Sequence, residues 1–166
     1  MDYVSSTNFV ILINEAPTSF FNSSIGLHQE CPLSLLLFLV IIEGLSKMVL
    51  EAKITGKFEG LKISSTLQIS HLLFVNDVVI FGSDNIEEWN YLSKILRFFC
   101  NASGMEINVE KSSLFHINLS GNAQEEMRNL FKFKMERMED GFKYLGIFFK
   151  PNNYMINDSL WLIKKN

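Results

Sequence analysis

The sequence predicts an α+β domain, an antiparallel sheet with helices packed on one face. Three observations carry this. Short β-branched and aromatic runs meet at turn residues in hairpin fashion. Two longer stretches repeat apolar residues at three-and-four spacing. Finally, 48% of the 166 residues are apolar, 15 of them phenylalanine, and only 20% are charged, which supplies a core for one domain and excludes a disordered or low-complexity chain.

Taken in order, Asn8 to Ile13 reads NFVILI, then turns at Asn14-Glu15-Ala16-Pro17, and Thr18 to Ser24 (TSFFNSS) returns as the second arm of a hairpin. A polar loop from Gly26 leads to Cys31-Pro32. From Leu33 to Leu50 the residues Leu33, Leu36, Leu37, Val40, Ile41, Leu45 and Met48 line one face of an expected buried helix with proline near its first turn. The same stretch approaches the length of a membrane span. Glu43, Gly44, Ser46 and Lys47 interrupt it, so a buried helix and no membrane partner are expected.

Leu61 to Ile63, Leu67 to Leu73 and Val78 to Phe81 read as strands, with Phe74-Val75-Asn76-Asp77 as the turn between the last two. Asp84 with Glu87 forms a capping-box pattern, and Ile86, Trp89, Leu92, Ile95, Leu96 and Phe99 continue it as a helical face ending at Ser103-Gly104. A strand at Ser112 to Ile117, a helix at Ala123 to Phe131 and a strand at Phe142 to Phe149 complete the pattern, closed by Pro151. The domain is expected over residues 1–150, with residues 151–166 as an irregular tail.

The net charge is −3 and the pI about 5.6, unlike a self-sufficient nucleic-acid binder. From Met1 to Glu110 there are 6 basic and 12 acidic residues, and from Lys111 onward 9 and 6, a weak basic surplus. Cys31 and Cys100 are too far apart in sequence for a zinc pair, and the start lacks a signal peptide. An intracellular protein, nuclear or cytoplasmic and not secreted, is expected.

Asp77, a carboxylate at the tip of an apolar hairpin, is a candidate ligand for a hard cation such as Mg²⁺, although Asn-Asp is also ordinary turn chemistry. His71 and His116 read as hydrogen-bonded structural histidines in or beside apolar strands, and Lys132, Lys134 and Arg137 as a solvated face.

Four segments in order extend the reading beyond single residues. Gly26-Leu27-His28-Gln29-Glu30-Cys31-Pro32-Leu33-Ser34, Ser70 to Asp77, Ser103 to Ser112 and Tyr144-Leu145-Gly146-Ile147 resemble motifs of the palm of reverse transcriptases encoded by non-LTR (LINE-type) retrotransposons, of the sort abundant in plants. The resemblance implies an RNA-directed DNA polymerase fold, with Mg²⁺ as cofactor and an RNA template and DNA primer as partners. It also implies roles: Asp77 and Asn76 at the metal-binding, catalytic turn, Lys111 as an acid toward pyrophosphate, and Gly26, His28 and Gln29 near template and nucleotide. The chain departs from the family pattern. The turn reads Asn-Asp where the family has two aspartates, Glu30 replaces a glycine, and no aspartate in the family's early-strand context precedes the hairpin; Asp2 is the nearest. A catalytically inactive fragment is therefore expected. The alternative is a derived non-enzymatic α+β module that binds a protein partner through an exposed sheet face.

Overall fold

The computed structural model describes residues 8–22, 32–145 and 147–151. The chain divides into two compact units, residues 1–43 and 44–166, with the boundary inside a helix.

In the first unit, β1 (Asn8–Phe9), β2 (Leu12–Ile13), β3 (Ala16–Pro17) and β4 (Phe21–Asn22) form the expected hairpin as two short antiparallel ladders, β1 with β4 and β2 with β3. Asn14 and Glu15 close it, both in the left-handed region at φ 49° and 66°, the backbone sense that suits the twist of a two-residue hairpin loop. Phe9 and Phe21 face each other across the ladder and stack with ring centroids 5.9 Å apart. The helix α1 (Pro32–Ile54) begins in this unit. Its first half departs from the expected buried helix: Leu33, Leu36 and Val40 are exposed. The run Leu35 to Ile42 is apolar on every side of the helix, so a three-and-four pattern within it does not mark which face is covered. By length and composition, Leu33–Ile54 is long and apolar enough to cross a membrane, and 17% of that apolar window is buried.

In the second unit, Leu45, Val49 and Ala52 of α1 are buried. Gly60, at φ +81°, lets the chain pass so close to the Ile69–Ser70 backbone that a Cβ would stand 2.6 Å from the Ile69 carbonyl oxygen. The expected strand at Leu67 to Leu73 is two strands, β6 (Gln68–Ile69) and β7 (His71–Phe74). β6 pairs with β5 (Leu61–Lys62), and β7 with β8 (Asp77–Ile80), both antiparallel.

The helix α2 (Ile86–Ser103) starts one residue later than the capping box suggests. Asn85, not Asp84, is the N-cap, its Oδ1 accepting the Glu87 N–H at 3.0 Å. Ser83 relays the reciprocal half of the cap: it accepts the Asn85 N–H at 3.2 Å and donates to Glu88 Oε1 at 3.1 Å. The helix ends as expected at Gly104, φ 70°, whose N–H donates to the Cys100 carbonyl at 2.9 Å.

β9 (Ser113–His116) leads to α3 (Gly121–Phe131), which packs against α2, and then to β10 (Lys134–Arg137), a strand absent from the sequence reading. β9 and β10 pair in parallel, Lys134 beside Ser113 and Arg137 beside His116, with α3 as the crossover that a parallel pair needs. The expectation of one antiparallel sheet is thus corrected. Among the described residues the strands form separate two-stranded ladders, and one of them is parallel. Lys-Met-Glu-Arg offers a single apolar side chain, so no alternation marks β10 in the sequence. The expected strand at Phe142 to Phe149 is likewise a hairpin, β11 (Phe142–Tyr144) with β12 (Ile147–Phe149).

Aromatic rings join these pieces. Trp89 makes edge contacts with Phe58 and Phe131 at 6.1 and 6.0 Å, and Phe142 stands between Phe115 and Phe149 at 4.9 and 5.6 Å. Phe58, Leu92 and Met127 are almost fully buried, and burial of apolar area holds α2 and α3 together.

Candidate functional site

The hairpin of β7 and β8 carries Asp77. Phe74 pairs with Asp77 and His71 with Ile80, leaving Val75 and Asn76 as a two-residue turn. Val75 takes φ 51°, a conformation that crowds a β-branched side chain and costs on the order of 1–3 kcal/mol. Asn76 and Asp77 are both exposed at the tip, so a carboxylate follows apolar Leu72 to Val75 without being desolvated.

The base of the hairpin is pinned. Ser46 Oγ on α1 lies 2.9 Å from His71 Nε2, and buried Ser70 Oγ lies 3.0 Å from its Nδ1, so both ring nitrogens meet a hydroxyl. Lys53 Nζ adds a second tie from α1, donating to the Gln68 carbonyl at 3.0 Å. The structural reading of His71 holds. His116 differs: its Nδ1 is buried without a hydrogen-bond partner.

Lys111 ends a short 3-10 turn, Val109–Lys111, capped by Asn108, whose Oδ1 accepts the Lys111 N–H at 3.1 Å. Ser112 Oγ closes the same turn on the Asn108 carbonyl at 2.8 Å, and Ser103 Oγ donates to the Phe99 carbonyl at 2.7 Å. The polar residues of the segment Ser103 to Ser112 therefore shape a helix stop and a turn that presents Lys111 to solvent. Gly26, His28 and Gln29, with Asp2, Glu30 and Gly146, lie outside the described residues.

Mg²⁺ binding rests on anionic carboxylates, and two-metal phosphoryl transfer needs a set of them around both ions. Among the described residues no three His, Cys, Asp or Glu side chains gather as such a set. The tip offers one carboxylate and a neutral amide oxygen, which does not fit a metal pair. Ser70 opens the motif that ends at Asp77, whereas Ser46, the other partner that holds the hairpin, has no signal in the sequence because a serine inside an apolar helix carries no pattern of its own.

The family model described as reverse transcriptase (RNA-dependent DNA polymerase) matches residues 3–149, and the chain belongs to that family. It is also 38% identical, over 69 residues, to an uncharacterized mitochondrial protein of Arabidopsis thaliana; the match covers 41% of this chain and 57% of that protein. Members of this family are in general metal-dependent and act on nucleic acids.

Proposed function

We propose that residues 1–150 are part of the palm of a non-LTR retrotransposon reverse transcriptase whose polymerase site is disabled, so that the chain does not extend a primer. One observation carries this: the tip of the β7–β8 hairpin presents Asn76 beside Asp77 where the family turn has two carboxylates. The substitution removes one charge from the pair that would face a divalent cation, and an amide oxygen does not replace that charge. The four motifs in order support the non-LTR assignment. In this reading Asp77, Asn76 and Lys111 are remnants of the catalytic site, and Gly26, His28 and Gln29 remnants of the template and nucleotide site. RNA template and DNA primer are its ancestral partners.

The test is primer extension by the 166-residue chain on an RNA template with Mg²⁺ or Mn²⁺. No extension is expected, and Asn76→Asp alone restores little, because the 166 residues hold no second aspartate in the family's early-strand context. Template-dependent incorporation by the unmodified chain, abolished by Asp77→Ala, would show that the site is alive.

A second reading, a non-enzymatic module that binds protein, is favoured by the exposed apolar side chains of Leu12, Phe20, Val40 and Phe98. It expects the native chain to enhance the fluorescence of an apolar dye. A native chain that leaves the dye dark counts against it.

A further inference from the structure

The helix α1 carries a regular seam on its open side. Leu36, Val40, Glu43, Lys47, Leu50 and Ile54 follow one another at four, three, four, three and four residues, the spacing of the inner positions of a coiled coil. All six are exposed. At about 100° per residue they point away from Ile42, Leu45, Val49 and Ala52, the buried stripe of the same helix. A monomer therefore leaves four apolar side chains of this seam in water, on the side that its own core does not use.

The two charges at the middle of the seam select what covers it. Glu43 and Lys47 enter no ion pair among the described residues. Two copies of the helix laid antiparallel can meet so that Leu36 faces Ile54, Val40 faces Leu50 and Glu43 faces Lys47, and the two-fold axis repeats each pair. Apolar then meets apolar, and acid meets base. A slip of one heptad in either direction sets both charges against apolar side chains, and a parallel pairing sets Glu43 on Glu43 and Lys47 on Lys47. A bilayer would take the same two charges into its hydrocarbon, where they are strongly disfavoured.

We propose that the exposed seam of α1 is the docking surface for a second copy of this chain, the two α1 helices pairing antiparallel. The apolar pairs supply the area removed from water. Glu43 and Lys47 fix register and direction, the use to which polar residues at inner coiled-coil positions are best suited. The contact goes beyond both functional readings above, since the chain pairs in the same way whether its polymerase site is live or disabled.

The test is sedimentation velocity on the 166-residue chain from about 1 to 100 µM, where a monomer–dimer equilibrium is expected. Glu43→Lys or Lys47→Glu alone sets like charges face to face and weakens self-association at least about tenfold, with the far-UV circular dichroism of the parent retained. An equimolar mixture of these two variants regains a dimer within about threefold of the parent, because each chain supplies the charge that the other lacks. For direction, Leu36→Cys and Ile54→Cys are made separately in a Cys31→Ser, Cys100→Ser background. Mixing them under oxidation gives a disulfide-linked dimer, and neither does so alone. A monomer at every concentration, single charge variants that associate as tightly as the parent, a mixture no tighter than its components, disulfide-linked dimers from either cysteine variant alone, or a chain recovered only in phosphatidylcholine vesicles would each overturn the proposal.

Discussion

At the scale of single residues, the turn of the β7–β8 hairpin holds a conflict between local preference and position. Val75 at φ 51° is a β-branched residue in a conformation that glycine adopts freely. Val75→Gly is expected to stabilise the fold by about 1 kcal/mol in urea denaturation, since it relieves that crowding. A loss of stability would mean that contacts of the valine outweigh its backbone cost. Cys100 gives a second residue-scale prediction. Burial, and to a smaller degree the nearby Glu106 carboxylate, push its thiol upward, with a backbone hydrogen bond from Ile107 opposing them. A thiol raised in the folded state favours folding below its unfolded value, and that contribution is lost as pH rises through the folded value. In a Cys31→Ser background, alkylation of Cys100 by iodoacetamide should be slower in the native chain than in urea at pH 8, and stability should fall as the pH rises above the ordinary thiol range. Equal rates in both states would contradict the assignment.

At the scale of elements, the central tie is the one between α1 and the hairpin. His71 accepts or donates at both ring nitrogens, so removing it leaves Ser46 Oγ and the buried Ser70 Oγ without this partner. His71→Ala is expected to cost about 1–3 kcal/mol by thermal denaturation, and Ser46→Ala less, because His71 then keeps Ser70. If Ser46→Ala costs as much as His71→Ala, the helix contact carries the whole effect. The elements legible in the sequence were those with period or punctuation: the hairpin around Asn14-Glu15, α2 with its stop at Gly104, and the strands flanking Val75-Asn76. Those that escaped it lacked such marks. Lys134 to Arg137 has no alternation and becomes a strand only because β9 lies alongside it. The break at Ser70 comes from pairing β6 with β5 and β7 with β8, a choice made by partners distant in the chain. Asp84 and Asn85 are both good caps, and the hydroxyl of Ser83 selects the second.

At the scale of the whole molecule, family membership was more legible than architecture, because motifs survive in order even where a ladder's direction does not show. The candidate site was legible in part. Asn76, Asp77 and Lys111 are exposed at or beside turns, whereas of the two hydroxyls that brace the hairpin only that of Ser70 lies in a motif. A polymerase site is a collective property: each ion needs several anionic ligands at once, and the described residues bring one carboxylate to the tip. Metal binding therefore measures most directly whether the site is disabled. Mn²⁺, which is paramagnetic and accepts the same oxygen ligands, can be titrated into the 166-residue chain and its free fraction followed by electron paramagnetic resonance. No saturable site below millimolar Mn²⁺ is expected, and no change on Asp77→Ala. Saturable binding of two ions at micromolar concentration, abolished by Asp77→Ala, would contradict it.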